Sequence, residues 1–219
     1  MHSIYNFASG PMVWIAFIVF IGGSIYRLLN MINLAVKKES FIFTFWSWKY
    51  GLRSVIHWIV PFGSVSMRQH PVMTIVSFLF HICLLIAPIF LFAHIILWDA
   101  SWNISWWSVP DSVADIMTII VIAACIFFLV RRIKLPEVRF VTTASDYIIL
   151  IIVAAPFITG LIAYHQWFCY QLFLILHIIA GEIMLMAIPF TRLSHMLFGL
   201  FTRAYTGSEF GGVRFSKDW

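Results

Sequence analysis

Two stretches of this chain contain no Asp, Glu, Lys or Arg: residues 70–98 and residues 147–181. Each is longer than the roughly 20 apolar residues needed to cross a bilayer core. The whole chain agrees, with 62% hydrophobic and 11% charged residues and a mean hydropathy of +0.96. A soluble domain carries about a quarter charged residues, so a soluble enzyme and a disordered chain are both excluded. Open sheet edges cannot face lipid and the alternating pattern of a barrel is missing, so the spans are expected to be helices. Five are predicted, at residues 13–34, 71–98, 112–130, 145–164 and 167–190, with Tyr164-His165-Gln166 as a tight turn inside the longer uncharged run. The fold expected is an all-α integral membrane protein, one membrane domain over residues 1–219. Met1 to Pro11 lacks the basic segment of a signal peptide, so the first span is expected to be retained.

The charges that remain predict an orientation. Lys37, Lys38, Lys49, Arg53 and Arg68 fall between the first two spans, and Arg131, Arg132, Lys134 and Arg139 between the third and fourth. Arg192, Arg203, Arg214 and Lys217 follow the fifth, and Arg27 lies in the inner third of the first, within snorkelling reach. The opposite segments hold only Asp99 and Asp111, with Asp115 nearby, and the tryptophans 98, 102, 106, 107 and 167. All fourteen basic residues therefore sit on one side, which predicts N-out, C-in and a multi-pass protein of a bacterial or archaeal cytoplasmic (inner) membrane. The net charge of +5 then reports orientation and a cytoplasmic partner, not nucleic acid.

The inner loop at residues 37–69 is longer than a connection requires. Trp46, Trp48, Leu52, Val55, Ile56 and Ile59, interspersed with Lys49 and Arg53, predict an amphipathic interfacial helix, serving as a lipid anchor or as a platform for a partner. A cytoplasmic tail is expected at residues 196–219, and its part from Tyr205 to Trp219, with Gly207, Gly211, Gly212, Phe210, Phe215 and Trp219, is either a docking segment for that partner or a disordered end. Cys83, Cys125 and Cys169 are isolated in apolar runs, and without a CxxC or CxxCH they supply no iron–sulfur, structural zinc or c-type haem motif.

The histidines carry the chemistry. His81, His94, His177 and His195 all lie in or at the end of the second and fifth spans, and ionisable groups at membrane depth are usually functional. Those two spans run antiparallel, which matches His81 with His195 towards the inside and His94 with His177 towards the outside. Paired imidazoles are good axial ligands for haem iron and leave no open position, which suits electron transfer, and cofactors are common in bundle interiors. His177 and His195, eighteen apart, share a face of an ideal helix, whereas His81 and His94, thirteen apart, do not. Pro88 between them is expected to alter that phase. His70 is a rival ligand, but it precedes Pro71 at the start of its span.

At this point the chain resembles the gamma-subunit (dihaem cytochrome b) family of respiratory nitrate reductase. The residues concerned are His177-Ile-Ile-Ala-Gly181 leading to Ile188-Pro-Phe-Thr-Arg-Leu-Ser-His195, Gly23-Ser24 with Arg27, and Val138 to Asp146 before the fourth span. The wide His81–His94 spacing is more similar to a branch paired with heterodisulfide-reductase-like iron–sulfur subunits in sulfate reducers and methanogens. The resemblance implies two haem b groups stacked across the bilayer. They would relay electrons between menaquinone, another quinone or methanophenazine and a cytoplasmic iron–sulfur subunit, heterodisulfide-reductase-like or ferredoxin-like.

Around such haems, Arg192, Arg68 and Arg139 are candidates for the inner propionates. His165 is the candidate proton acceptor of a quinone site, with Tyr164, Asp99 and Asp115 behind it. Gly160 and Gly181 suit close packing or approach to a porphyrin face. Glu182 is the one carboxylate deep in a span. Two other functions fit the composition: electron exchange with a periplasmic multihaem cytochrome c through the acidic outer loop, and a haem-free scaffold or transporter with structural histidines.

Overall fold

The computed structural model describes residues 1–38 and 44–219. Of the predicted inner loop, residues 39–43 lie outside the described residues. All regular structure among the described residues is helical. Five helices there are long and apolar enough to cross a membrane: His2–Lys38, Pro71–Phe90, Asp111–Lys134, Ala144–Tyr164 and Tyr170–Ala187. Each overlaps a predicted span. The first begins earlier than expected, as α1 (His2–Phe7), a wider π-type turn at Ala8–Met12 around Pro11, and α2 (Val13–Lys38).

The chain divides into two units, and the boundaries fall within long helices. Residues Met1–Ala8 and Val76–Gly181 form the first unit. It contains most of α5 (Pro71–Phe90), α6 (Phe92–Trp102), α7 (Asp111–Lys134), the short α8 (Pro136–Phe140), α9 (Ala144–Tyr164) and the first two-thirds of α10 (Tyr170–Ala187). Ala114, Met117, Val121, Ala124 and Cys125 recur at helical spacing and are the buried stripe of α7, which packs on α9. Asp111 stands in the first turn of α7 and Arg131, Arg132 and Lys134 in its last, each sign matching the helix dipole. Thr143 and Asp146 cap the start of α9 reciprocally, with Asp146 accepting from the Thr143 N–H at 2.8 Å. Arg132 lies 3.7 Å from that buried carboxylate and donates to Thr142, which ties the α7–α9 connection down.

Residues Ser9–Ile75 and Glu182–Trp219 form the second unit. The expected amphipathic helix is present as α3 (Trp48–Ile59), followed by α4 (Val65–Gln69). The tail is helical as α11 (His195–Ser208) and packs along α3. Small residues permit that approach: a Cβ on Gly207 would lie 2.3 Å from the Ser54 Cβ, and one on Gly211 2.3 Å from the Tyr50 ring. Ser208 Oγ accepts from the Ser47 N–H at 3.1 Å and donates to the Ser47 carbonyl at 2.9 Å. Beyond α11, Asp218 accepts from Ser54 and pairs with Arg203 at 2.9 Å, and Trp219 stacks on His57 at 4.2 Å under Arg53. The tail is thus a strap across α3.

Two expectations about helix continuity need correction. The second span is not one helix over residues 71–98. Leu91 is extended (ψ 127°) and separates α5 from α6. The fifth span stops at Ala187, so His177 and His195 do not share one helix, and the eighteen-residue phase argument fails. Pro189 disfavours helical geometry in the residue before it and lacks the N–H to continue the ladder. The chain turns through residues 188–191, is re-initiated by Thr191 accepting from the Leu193 N–H at 3.2 Å, and enters α11 at His195. Gly23 makes room for that turn, since a Cβ there would lie 2.7 Å from Phe190. Two of the motifs that carry the family resemblance therefore touch.

Candidate functional site

The break at Leu91 frees the three carbonyls that the N–H groups of residues 92–94 would otherwise take. Each finds another donor. His94 Nδ1 meets the Pro88 carbonyl at 2.8 Å, the Trp106 indole N–H donates to Ile89 at 2.9 Å, and the Val109 N–H donates to Phe90 at 3.0 Å. The returning loop is fixed further by ring contacts, Trp107 on Phe90 at 4.4 Å and Trp106 on Trp98 at 5.9 Å.

His177 is held from another helix. Its Nδ1 meets the Pro156 carbonyl of α9 at 2.8 Å, at a point where Gly160 presents no side chain. His94 and His177, both half-buried, face each other with ring centroids 5.9 Å apart and planes 19° from parallel. A carbonyl oxygen only accepts, so each Nδ1 carries the proton, and in the neutral ring Nε2 holds the free lone pair. The first unit therefore brings together the two histidines matched at the outer depth.

His81 and His195 show the same chemistry with local partners. His81, in the first unit, places Nδ1 2.7 Å from the Ser77 carbonyl one turn back. His195, in the second, places Nδ1 2.7 Å from the carbonyl of Arg192. His70 caps the end of α4 just before Pro71, at the start of the span as expected.

A second cluster joins the start of α7 to the end of α9. His165 Nε2 lies 3.1 Å from Asp115 Oδ2, its ring stacks on Trp167 at 5.1 Å, and the Tyr164 ring meets it edge-on at 5.2 Å. Gln166 in left-handed geometry (φ 53°) makes the tight turn read from the sequence. Asp99 stays on α6, and its carboxylate makes no hydrogen bond or ion pair among the described residues. The partner of His165 is Asp115.

Arg68, in the second unit, donates to the Phe62 carbonyl at 2.9 Å, Arg192 lies in the turn before His195, and Arg139 is exposed at the end of α8 in the first unit. Gly181 has open space where a Cβ would stand, unlike Gly160. Glu182 is buried, and neither carboxylate oxygen has a hydrogen-bond partner among the described residues. Sequence reading missed the pairing of Pro156 and Gly160 with His177, and the donors Trp106 and Val109. Only the interior prolines hinted at unusual carbonyls there.

A protein of Nitratidesulfovibrio vulgaris (strain Hildenborough), described simply as "Protein", is 36% identical over 215 residues, covering 94% of this chain and 93% of that one. The chain belongs to the same family as that protein. No family model matches the sequence, and no solved structure matches it.

Proposed function

We propose that the chain is a membrane-embedded dihaem cytochrome b subunit that relays electrons between a quinone pool and a cytoplasmic iron–sulfur partner. The observation that carries this reading is the facing pair His94–His177, each Nδ1 committed to a main-chain carbonyl. Metal-ligating histidines characteristically donate their second ring N–H in this way, which fixes the tautomer and raises ligand basicity. Two imidazoles that would each hold one shared metal at about 2 Å have centroids within roughly 6 Å of each other. The observed 5.9 Å fits. Two histidines fill only part of a metal's coordination sphere, so such a site calls for a metal that brings further ligands of its own. Haem does so, and when bound it supplies one-electron transfer. His81 and His195, whose Nδ1 protons are committed to carbonyls in the same way, are the remaining ligand candidates for a second haem, and Arg192, Arg68 and Arg139 the basic candidates for propionates.

The membrane setting is supported by what the long helices expose. Ile18, Ile21, Ile75, Leu79, Ile119, Ile126, Ile148 and Ile151 all face outward, which lipid tolerates and water does not. The one-sided distribution of basic residues supports N-out, C-in in a bacterial or archaeal cytoplasmic membrane. At the opposite end, Asp115 accepts the His165 Nε2–H and leaves Nδ1 as a base, the arrangement needed to take a proton from a quinol. The His165–Asp115 contact is the observation that favours a quinone at this end over a basic periplasmic cytochrome.

A reduced-minus-oxidised spectrum of the purified protein tests the reading. Two b-type components with low-spin ferric signals are expected, and a protein without b-type bands is instead the haem-free scaffold or transporter.

A further inference from the structure

Gly160, the break at Leu91 and Trp106 are more than packing features. On the reading above, we propose that they are positioning elements that set how His94 and His177 present Nε2 to one shared haem. On an uninterrupted helix the thirteen residues from His81 to His94 would turn the two side chains about 220° apart. The extended residue Leu91 releases His94 from that phase. It also leaves the Pro88 carbonyl without its helical N–H partner, and His94 Nδ1 takes that place at 2.8 Å. The break in turn relies on donors from the loop that follows α6. The Trp106 indole and the Val109 N–H satisfy the other two freed carbonyls, which would otherwise be stranded in apolar surroundings.

His177 is set by subtraction. A Cβ at position 160 would lie 2.8 Å from His177 Nδ1 and 2.9 Å from Cε1, well inside the roughly 3.5 Å at which non-bonded atoms rest. Any side chain there displaces the imidazole from the Pro156 carbonyl. The hydrogen bond at Nδ1 governs the electron density at Nε2, so a displaced ring changes a bound haem's potential as well as its occupancy.

The test compares three variants of the full chain purified from membranes: Gly160→Ala, Trp106→Phe, which keeps a ring and deletes the N–H, and Gly22→Ala. A Cβ at Gly22 meets nothing within 4 Å, so that variant controls for the bare substitution of a helical glycine. The readouts are haem content, midpoint potentials by redox titration and the low-spin ferric EPR signals. Gly160→Ala is expected to shift the potential and signal of one haem, or to release it, and to leave the other unchanged. Trp106→Phe should shift the same haem by less, and Gly22→Ala should shift neither. The proposal is overturned if Gly160→Ala and Trp106→Phe both match the wild type, if they act on different haems, or if both haems move together. Should Gly160→Ala fail to accumulate, Trp106→Phe alone decides. A wild-type protein without b-type bands removes the dihaem reading itself. Two haems that ignore both variants remove only the positioning role.

Discussion

His94 and His177 commit Nδ1 to distant carbonyls, whereas His81 and His195 commit theirs within their own turn of chain. The acceptors of the first pair are a carbonyl six residues back across a helix break and one twenty-one residues back on another helix. Those of the second pair lie four and three residues back. A local clamp forms wherever its helix forms, and it fixes the tautomer without fixing where the ring points in the molecule. A remote clamp does both, but it depends on Leu91, Trp106, Pro156 and Gly160 being in place together. The same second-ring bond is therefore a self-contained property of one pair and a consequence of tertiary structure in the other. The His195 region draws its placement from elsewhere, because His195 opens α11, and α11 is strapped to α3 through Gly207, Ser208 and Asp218.

The harshest way to break this comparison is to remove the rings. His94→Ala and His177→Ala are each expected to abolish one and the same haem, and His81→Ala and His195→Ala the other, read as loss of half the haem b and of one component in a redox titration. Loss of different haems by His94→Ala and His177→Ala would show that their facing geometry is mere packing. A milder substitution addresses the region beside that pair. His165→Ala should slow quinol-driven haem reduction by about 100-fold, within the range of a lost general base, with both haems retained. Asp115→Asn should slow it less, because the imidazole stays and loses only its orienting acceptor. Stopped-flow reduction at unchanged speed in both variants would remove the cluster from the quinone reaction.

The long uncharged runs made the five helices legible, and the alternation of Trp46, Trp48, Leu52, Ile56 and Ile59 with Lys49 and Arg53 made α3 legible too. Burial demand alone decides such elements, and burial demand is written in composition and period. The stop at Ala187 was readable from Pro189, although the apolar run carries the expected span on to residue 190. Leu91 was not readable. Pro88 announces strain nearby, but the residue that leaves the helix is decided by which freed carbonyls find donors, and Trp106 and Val109 lie 15 and 18 positions further along. Gly160 was invisible for a related reason. A glycine in a helix records that something comes close, and only the fold says that the neighbour is the His177 ring. Gly207 and Gly211, read as parts of a docking tail, record the approach of Ser54 and Tyr50 in the same way.

The gentlest prediction sharpens the contrast from the side of α3 and α11. Asp218 has a nearly fully buried carboxylate that accepts from Ser54 and from Arg203. Asp218→Asn keeps the shape and an acceptor but removes the charge opposite a guanidinium that is itself mostly buried. A charge-assisted hydrogen bond becomes a neutral one, a change of about 1 kcal/mol. The strap should then open more often, releasing Trp219 from His57 and Arg53, which limited proteolysis of the tail and tryptophan emission both report. Because α11 begins at His195, a slight broadening or shift is expected in the signal of the haem lost in His195→Ala, and none in the haem lost in His177→Ala. Equal movement of both signals would mean that the two histidine regions are not separately governed, and the distinction between local and remote clamps would lose its consequence.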